Sequence, residues 1–279
     1  MKKLNFKRIS IILAGLVVIL AITQFITLKE LKKEKIAEIP EEIIIPEIDE
    51  KRAVAKLILI IDDFGYRNDE VSDRFLKLNI PITCAVIPGH AYSVHFARLA
   101  VKAGQEVIVH MPMESTLPTE GEEEYILKTK MTSQEIENRV QKVLQHLPEA
   151  VGMNNHQGSK ATADKRIMGV LGSVLKESGK FFIDSRTTVE TVAESTMRSL
   201  GVSTWRRTVF LDNDADPALI RNQIEKWAAK ARKDGEALGI GHAKLSTLLV
   251  LETMIPHLIA DGFEFEFASK ILNQKFKDL

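Results

Sequence analysis

From residue 55 onward, short apolar runs alternate with longer amphipathic stretches. Short runs of aliphatic and β-branched residues read as buried strands, and the stretches between them repeat at helical spacing. Strands are expected at 56–62, 81–87, 105–110, 150–154, 180–184, 201–206, 237–241 and 263–267. Helices are expected at 69–79, 91–103, 132–147, 163–178, 188–200, 216–234 and 246–261. Thr132 with Glu135 three residues later makes a capping box, and Asp216 followed by Pro217 makes an N-cap with proline at the first helical position. About seven or eight βα units in roughly 220 residues predict an α/β protein built as a distorted (β/α) barrel. A doubly wound open sheet has the same periodicity and is the alternative.

The N-terminal pattern is different. Lys2, Lys3, Lys7 and Arg8 precede a run from Ile9 to Leu28 without a charge. About 20 apolar residues span a bilayer as a helix. No A-x-A cleavage pattern and no lipid-accepting cysteine follows. Residues 9–28 are therefore expected to be an uncleaved transmembrane signal anchor, with 1–8 cytoplasmic and the bulk of the chain extracytoplasmic. Lys29, Lys32, Lys33 and Lys35 on the far side oppose that orientation. Residues 29–54 read as a charged linker broken by Pro40 and Pro46, 55–272 as one domain, and 273–279 as a C-terminal tail.

Composition narrows the function. Of 279 residues 45% are apolar, enough for a sizeable core, and 38 basic residues balance 38 acidic ones. Without a basic excess there is no signature of nucleic-acid binding. Cys84 is the single cysteine, so no internal disulfide or thiolate metal cluster exists. Three other motifs fail on their residues. Asp212, Asp214 and Asp216 have the opening spacing of an EF-hand, but Pro217 and Gln223 stand where Gly and Glu are needed, so they read as a turn and cap. GIGHAK at 239–244 matches neither a dinucleotide fingerprint nor a P-loop, and no G-x-S-x-G is present. The acidic run 120–124 reads as a solvated loop.

The polar residues gather at strand ends. In a barrel of this type the site lies at the C-terminal ends of the strands. Those ends carry Asp62 and Asp63, Pro88 and Gly89, His110, Asn154, Asn155 and His156, Asp184, Arg206 or Arg207, and His242. Aspartate and histidine without cysteine suit Zn2+ or a similar divalent ion. Such an ion lowers the pKa of water to about 7, and a second carboxylate takes the proton. Neighbouring strand residues face opposite ways, so one of Asp62 and Asp63 must lie at a bend, for which Gly65 supplies freedom.

The motifs IIDDFG (60–65), AVIPG (85–89), HMPME (110–114), GMNNHQGS (152–159), FFIDSRTT (181–188) and GIGHA with Thr247 resemble the divergent polysaccharide deacetylase family. That family is a distant relative of the NodB-type carbohydrate esterases. The resemblance covers roughly 55–272 and implies a distorted barrel holding a divalent metal, Zn2+ above Co2+ or Mn2+. It makes Asp62 the base and Asp63 a metal ligand beside His110. Where NodB-type enzymes have a second histidine this chain has Glu114. Either Glu114 or His156 completes the set, with His156 preferred because Pro112 turns the chain. Asp184 and His242 remain for support or acid chemistry, His242 being the candidate general acid. Asn154, Asn155 and Arg206 are candidates for substrate contact or support. The implied reaction is removal of N- or O-acetyl groups from an envelope polysaccharide or peptidoglycan-type glycan. The alternative is an inactive, membrane-tethered glycan-binding or regulatory protein. A glycosidase ranks last, because adjacent Asp62 and Asp63 do not flank a scissile bond.

Overall fold

The computed structural model describes residues 53–117 and 124–277. The expected membrane span at 9–28, nearly all of the linker and most of the acidic run at 120–124 lie outside the described residues. No helix among the described residues is long and apolar enough to cross a membrane.

The apolar run that opens the domain becomes the central strand β1 (Ala55–Phe64). It is followed by α1 (Glu70–Leu76), β2 (Thr83–Val86), α2 (Ser93–Lys102), β3 (Glu106–Met113), α3 (Ser133–His146) and β4 (Gly152–Gln157). Next come α4 (Lys165–Glu177), β5 (Phe181–Asp184), α5 (Ala193–Leu200), β6 (Thr204–Arg206), β7 (Val209–Phe210) and α6 (Pro217–Asp234). The chain continues through β8 (Glu236–His242), α7 (Leu245–Ala260), β9 (Phe263–Phe265) and α8 (Ala268–Lys277).

All pairings are parallel, in the order β6-β5-β4-β3-β2-β1-β8-β7. One edge of β1 pairs with β8 from Lys56 to Asp62; β2 and β9 divide its other pairings, β2 from Ile60 and β9 up to Leu57. The end strands β6 and β7 follow one another in the chain but do not pair. The expected barrel is thus an open, curled parallel sheet with alternating helices.

Side-chain parity sets the two faces of this sheet. Leu57, Leu59 and Ile61 belong to the large core between sheet and helices. Ile58 and Ile60 belong to a smaller inner cluster with Ala85, Ile108, Ile183, Leu238 and Ile240. That inner cluster is closed by Ala268, Ile271 and Leu272 of α8. Glu106 helps to seat this helix, accepting hydrogen bonds from Thr83 Oγ1 at 2.8 Å and from the Ser269 backbone at 3.3 Å. Residues 273–277, expected as tail, continue the helix.

Both expected helix starts are present. Thr132 Oγ1 accepts from Glu135 N while Glu135 Oε2 accepts from Thr132 N at 2.7 Å, and Asp216 accepts from Ala218 N at 2.7 Å with Pro217 at the first turn. Thr132→Ala is expected to cost about 0.5–2 kcal/mol of stability, read from the urea midpoint. Besides α8, two further elements depart from expectation. Strand β7 is too short to show a period, and α5 begins at Ala193. Residues 185–192 are consequently a loop at the rim of the sheet.

Candidate metal centre and acid-base groups

The parity that buries Ile58 and Ile60 carries Asp62 to the inner face. The same alternation turns His110 in β3, Asn154 and His156 in β4, and His242 in β8 toward that face. Asp63 cannot follow by parity. Its backbone is left-handed, with φ 69°, and the β1–β2 register shifts between Ile61 and Phe64. The bend expected near Gly65 therefore begins at Asp63 itself. It turns the second carboxylate back beside the first.

Three ligand atoms converge there. Asp63 Oδ1 lies 3.4 Å from His110 Nε2 and 3.3 Å from His156 Nδ1, and the two ring nitrogens are 3.0 Å apart. Donors held by a tetrahedral ion at about 2.0–2.1 Å would lie about 3.3–3.4 Å from one another, close to these edges. Asp63 Oδ1 is buried and has no hydrogen-bond partner among the described residues. Two nitrogens and a carboxylate oxygen aimed at one point fit a divalent cation.

Flanking groups set the tautomers. His110 Nδ1 donates to Asn154 Oδ1 at 2.7 Å, because an amide oxygen only accepts, and this makes Nε2, toward the cluster, the nitrogen that is free in the neutral ring. Asn154 Nδ2 donates to Asp62 Oδ1 at 2.8 Å, so one amide orients both a ligand and the candidate base. The Gln157 amide sits with its nitrogen 3.2 Å from His156 Nε2 and its oxygen without a partner. A half-turn of that amide presents the oxygen to an Nε2–H and leaves Nδ1 free for a cation. Asn154→Ala is expected to weaken Zn2+ binding by about 10–100-fold, measured against a chelator.

Charges follow from this packing. Burial raises the Asp62 carboxyl above its ordinary value, outweighing His110 and His242. Burial also opposes ionisation of Asp63, but the His110 and His156 imidazoles outweigh it and hold that carboxyl well below the usual range. Burial disfavours the His110 imidazolium, yet Asp62 and Asp63 bring its pKa up to about 9.

A second group stands across the site. His242 Nδ1 and Asp212 Oδ1 are 2.8 Å apart, and Asp212 Oδ2 accepts from His242 N at 2.8 Å and Thr247 Oγ1 at 2.6 Å. Its Nε2 thereby faces Asp63 Oδ2, 3.9 Å away. Burial works against protonation of His242, but the bond to Asp212 prevails and raises its pKa. Asp212, which its spacing with Asp214 and Asp216 assigns to a turn, is thus a partner of His242. Its signal was the apolar run Val209–Phe210–Leu211 ending in a carboxylate, as β1 does.

The remaining expected residues have other partners. Glu114 accepts from Thr129 N at 2.5 Å, Thr129 Oγ1 at 2.7 Å and Lys160 Nζ at 2.6 Å, and is not part of the ligand triangle. Burial would raise its pKa, but Lys160 and Thr129 bring it down to about 2. Asp184 accepts from Arg186 N and Thr191 Oγ1, and Asn155 holds Ser185 N, so both staple the loop after β5. Arg206, expected near the site, instead pairs with Glu194 at 3.5 Å and is 57% exposed. Arg207 is the arginine that turns inward, over Phe210 beside His242.

An open parallel sheet with an Asp-His-His cluster at its strand ends defines a class of α/β protein with a candidate metal site at the ends of its strands. A model of the divergent polysaccharide deacetylase family matches residues 59–272, and the chain belongs to that family. It is 35% identical over 219 residues to YibQ of Escherichia coli (strain K12), a protein described as uncharacterized, covering 78% of this chain and 68% of that protein. An uncharacterized protein of Haemophilus influenzae is 34% identical over 209 residues, covering 75% and 74% of the two chains. The crystal structure of uncharacterized protein ATU2773 from Agrobacterium tumefaciens C58 superposes with a TM-score of 0.73. That match covers 81% of this chain and 92% of the other at 15% identity, a likeness of fold.

Proposed function

We propose that the chain is a metal-dependent carbohydrate deacetylase that hydrolyses an N- or O-acetyl group on a cell-envelope glycan. The observation that carries this reading is the convergence of Asp63 Oδ1, His110 Nε2 and His156 Nδ1 between a buried Asp62 and the Asp212–His242 pair. Asp63, His110 and His156 would hold a divalent ion, Zn2+ before Co2+ or Mn2+, whose Lewis acidity would lower the pKa of water to about 7 and polarise a carbonyl oxygen. Asp62 takes the proton from the attacking water. Its raised pKa makes it a stronger base than an exposed aspartate, and Asn154 binds its Oδ1 while Oδ2 faces the cluster, 3.6 Å from His110 Nε2. His242 gives its Nε2 proton to the departing amine or alcohol, while Asp212 stabilises the imidazolium. Acetate and the free sugar amine or hydroxyl are the products. The uncharged segment 9–28 supports placement at the cytoplasmic membrane with the domain on the outer side, where such glycans lie.

Acetate release from acetylated oligosaccharides by purified protein loaded with Zn2+, Co2+ or Mn2+ tests the reading. No release with any of these ions, together with retained glycan binding, would move the assignment to a tethered glycan-binding protein. A finer test concerns Asp212. In Asp212→Asn the support for the His242 imidazolium is lost and its pKa falls. The alkaline decline of kcat, where His242 loses its proton, then begins at lower pH than in the wild type. An unshifted limb would remove His242 from the role of acid.

A further inference from the structure

Among the described residues, three that are not glycine adopt left-handed backbone: Asp63 (φ 69°), Gln157 (φ 54°) and Arg186 (φ 51°). Such residues are uncommon and persist only where surrounding contacts impose them. Asp63 belongs to the ligand triangle and Gln157 touches His156. Arg186 has no part in that cluster, yet it lies on the adjoining loop.

The loop is fixed from two sides. Toward β4, Ser185 N donates to Asn155 Oδ1 at 2.8 Å and Thr187 Oγ1 donates to Gln157 O at 2.8 Å, beside His156. From the other side, Arg207 Nε donates to Ser185 O at 2.7 Å and Nη2 to Arg186 O at 3.0 Å. The same guanidinium lies 4.6 Å from the Phe210 ring, and that ring is 5.3 Å from His242. Residues 185 and 186 therefore bridge the His156 flank of the site and its His242 flank.

Two donors of this loop, the Arg186 guanidinium and the Ser185 hydroxyl, make no hydrogen bond among the described residues. Arg186 is half-buried, and Ser185 Oγ is buried. Arg186 and Arg207 are near enough to repel one another. The carboxylate beside them, Asp184, is committed to Arg186 N at 2.8 Å and Thr191 Oγ1 at 2.9 Å. Asp184 and Asp62 act on these two guanidiniums only through space, without a direct hydrogen bond, so the pair and the buried hydroxyl keep donors that match the planar, multi-acceptor shape of a bound anion.

We propose that Ser185, Arg186 and Arg207 form a subsite for a negatively charged substituent, a carboxylate or phosphate, on the glycan bound at the metal centre. The preferred substrate is then an acidic polysaccharide, which deepens the deacetylase reading and rests on its placement of the glycan. Arg186 makes the direct contact, and Arg207 holds the loop and adds charge.

Isothermal titration of the full-length protein with three probes tests the subsite. The probes are chitotetraose, the same tetraose oxidised to a carboxylate at C6, and the same tetraose phosphorylated at C6. At low salt at least one charged probe should bind about tenfold or more tighter than the neutral one, with the margin shrinking as salt rises. Arg186→Gln should bring the affinities to within about twofold without weakening neutral binding, whereas Arg186→Lys keeps part of the preference. The tighter of the two charged probes identifies the anion. Equal binding of neutral and charged probes, a preference that survives Arg186→Gln, or no binding of any probe overturns the proposal. Because titration reads binding alone, absent acetate release with an intact charge preference would sink the deacetylase reading and leave the subsite standing.

Discussion

Asp63→Ala is expected, on the proposed deacetylase reading, to abolish divalent-ion binding and to lower acetate release by about 10^3-fold or more, since a metal's charge stabilisation amounts to several kcal/mol. Asp63 provides the single anionic atom of the triangle, held 3.3 and 3.4 Å from two imidazole nitrogens. Without it, His110 and His156 remain, a two-nitrogen site with no anionic ligand of its own. Elemental analysis after dialysis reads the metal directly. Near-stoichiometric metal in the variant would mean that the triangle is not where the ion resides. The pH dependence has a definite sign. In the metal-free protein His110 keeps its proton up to about pH 9. A cation must displace that proton, so affinity should rise by about tenfold per pH unit below that value and then level off. The same raised pKa gives the metal-free fold a stabilising contribution that is complete below the unfolded histidine value and lost as pH rises through about 9.

Trp227→Ala should be the most damaging core substitution, costing about 3–5 kcal/mol, a large share of the 5–15 kcal/mol typical of a domain. Trp227 is fully buried, and its Nε1 donates to Ala237 O at 3.0 Å. The indole lies so close to β8 that a Cβ on Gly239 would come within 2.9 Å of it. Removing the ring leaves a cavity behind the strand that ends in His242. Urea denaturation should show a lower midpoint at unchanged slope. A loss below about 1 kcal/mol would show that α6 collapses onto β8 and fills the space. This contact also accounts for part of the GIGHAK glycine pattern. Gly239 makes room for the indole, and a Cβ on Gly241 would approach Thr247 at 3.2 Å and Asp212 Oδ2 at 3.6 Å.

Much of the site was legible because strand alternation is local. Ile58, Ile60 and Asp62 share one face, as do Ile108 with His110 and Ile240 with His242, so an apolar run ending in a polar residue also states where that residue points. Helix starts at Thr132 and Asp216 were legible for the same reason: a cap is made by side chains three residues apart or fewer. The choice between Glu114 and His156 was not local. Glu114 follows His110 in the same strand-end segment, but its carboxylate is taken by Lys160 and Thr129, residues that the chain brings to it from 46 and 15 positions away.

The amino-acid sequence by itself determined the alternation of buried strands and amphipathic helices, the family, and the set of polar residues at the strand ends. These depend on periodicity and on neighbours within a few positions. Only the tertiary structure decided that the sheet stays open, that α8 closes its inner face, and that Asp212 serves His242 across 30 residues of chain. It also decided the left-handed backbone of Asp63, which turns a carboxylate toward the histidines, and that of Arg186 on the adjoining loop. Those outcomes rest on hydrogen bonds between distant strands, which no local pattern of hydrophobic and polar residues encodes.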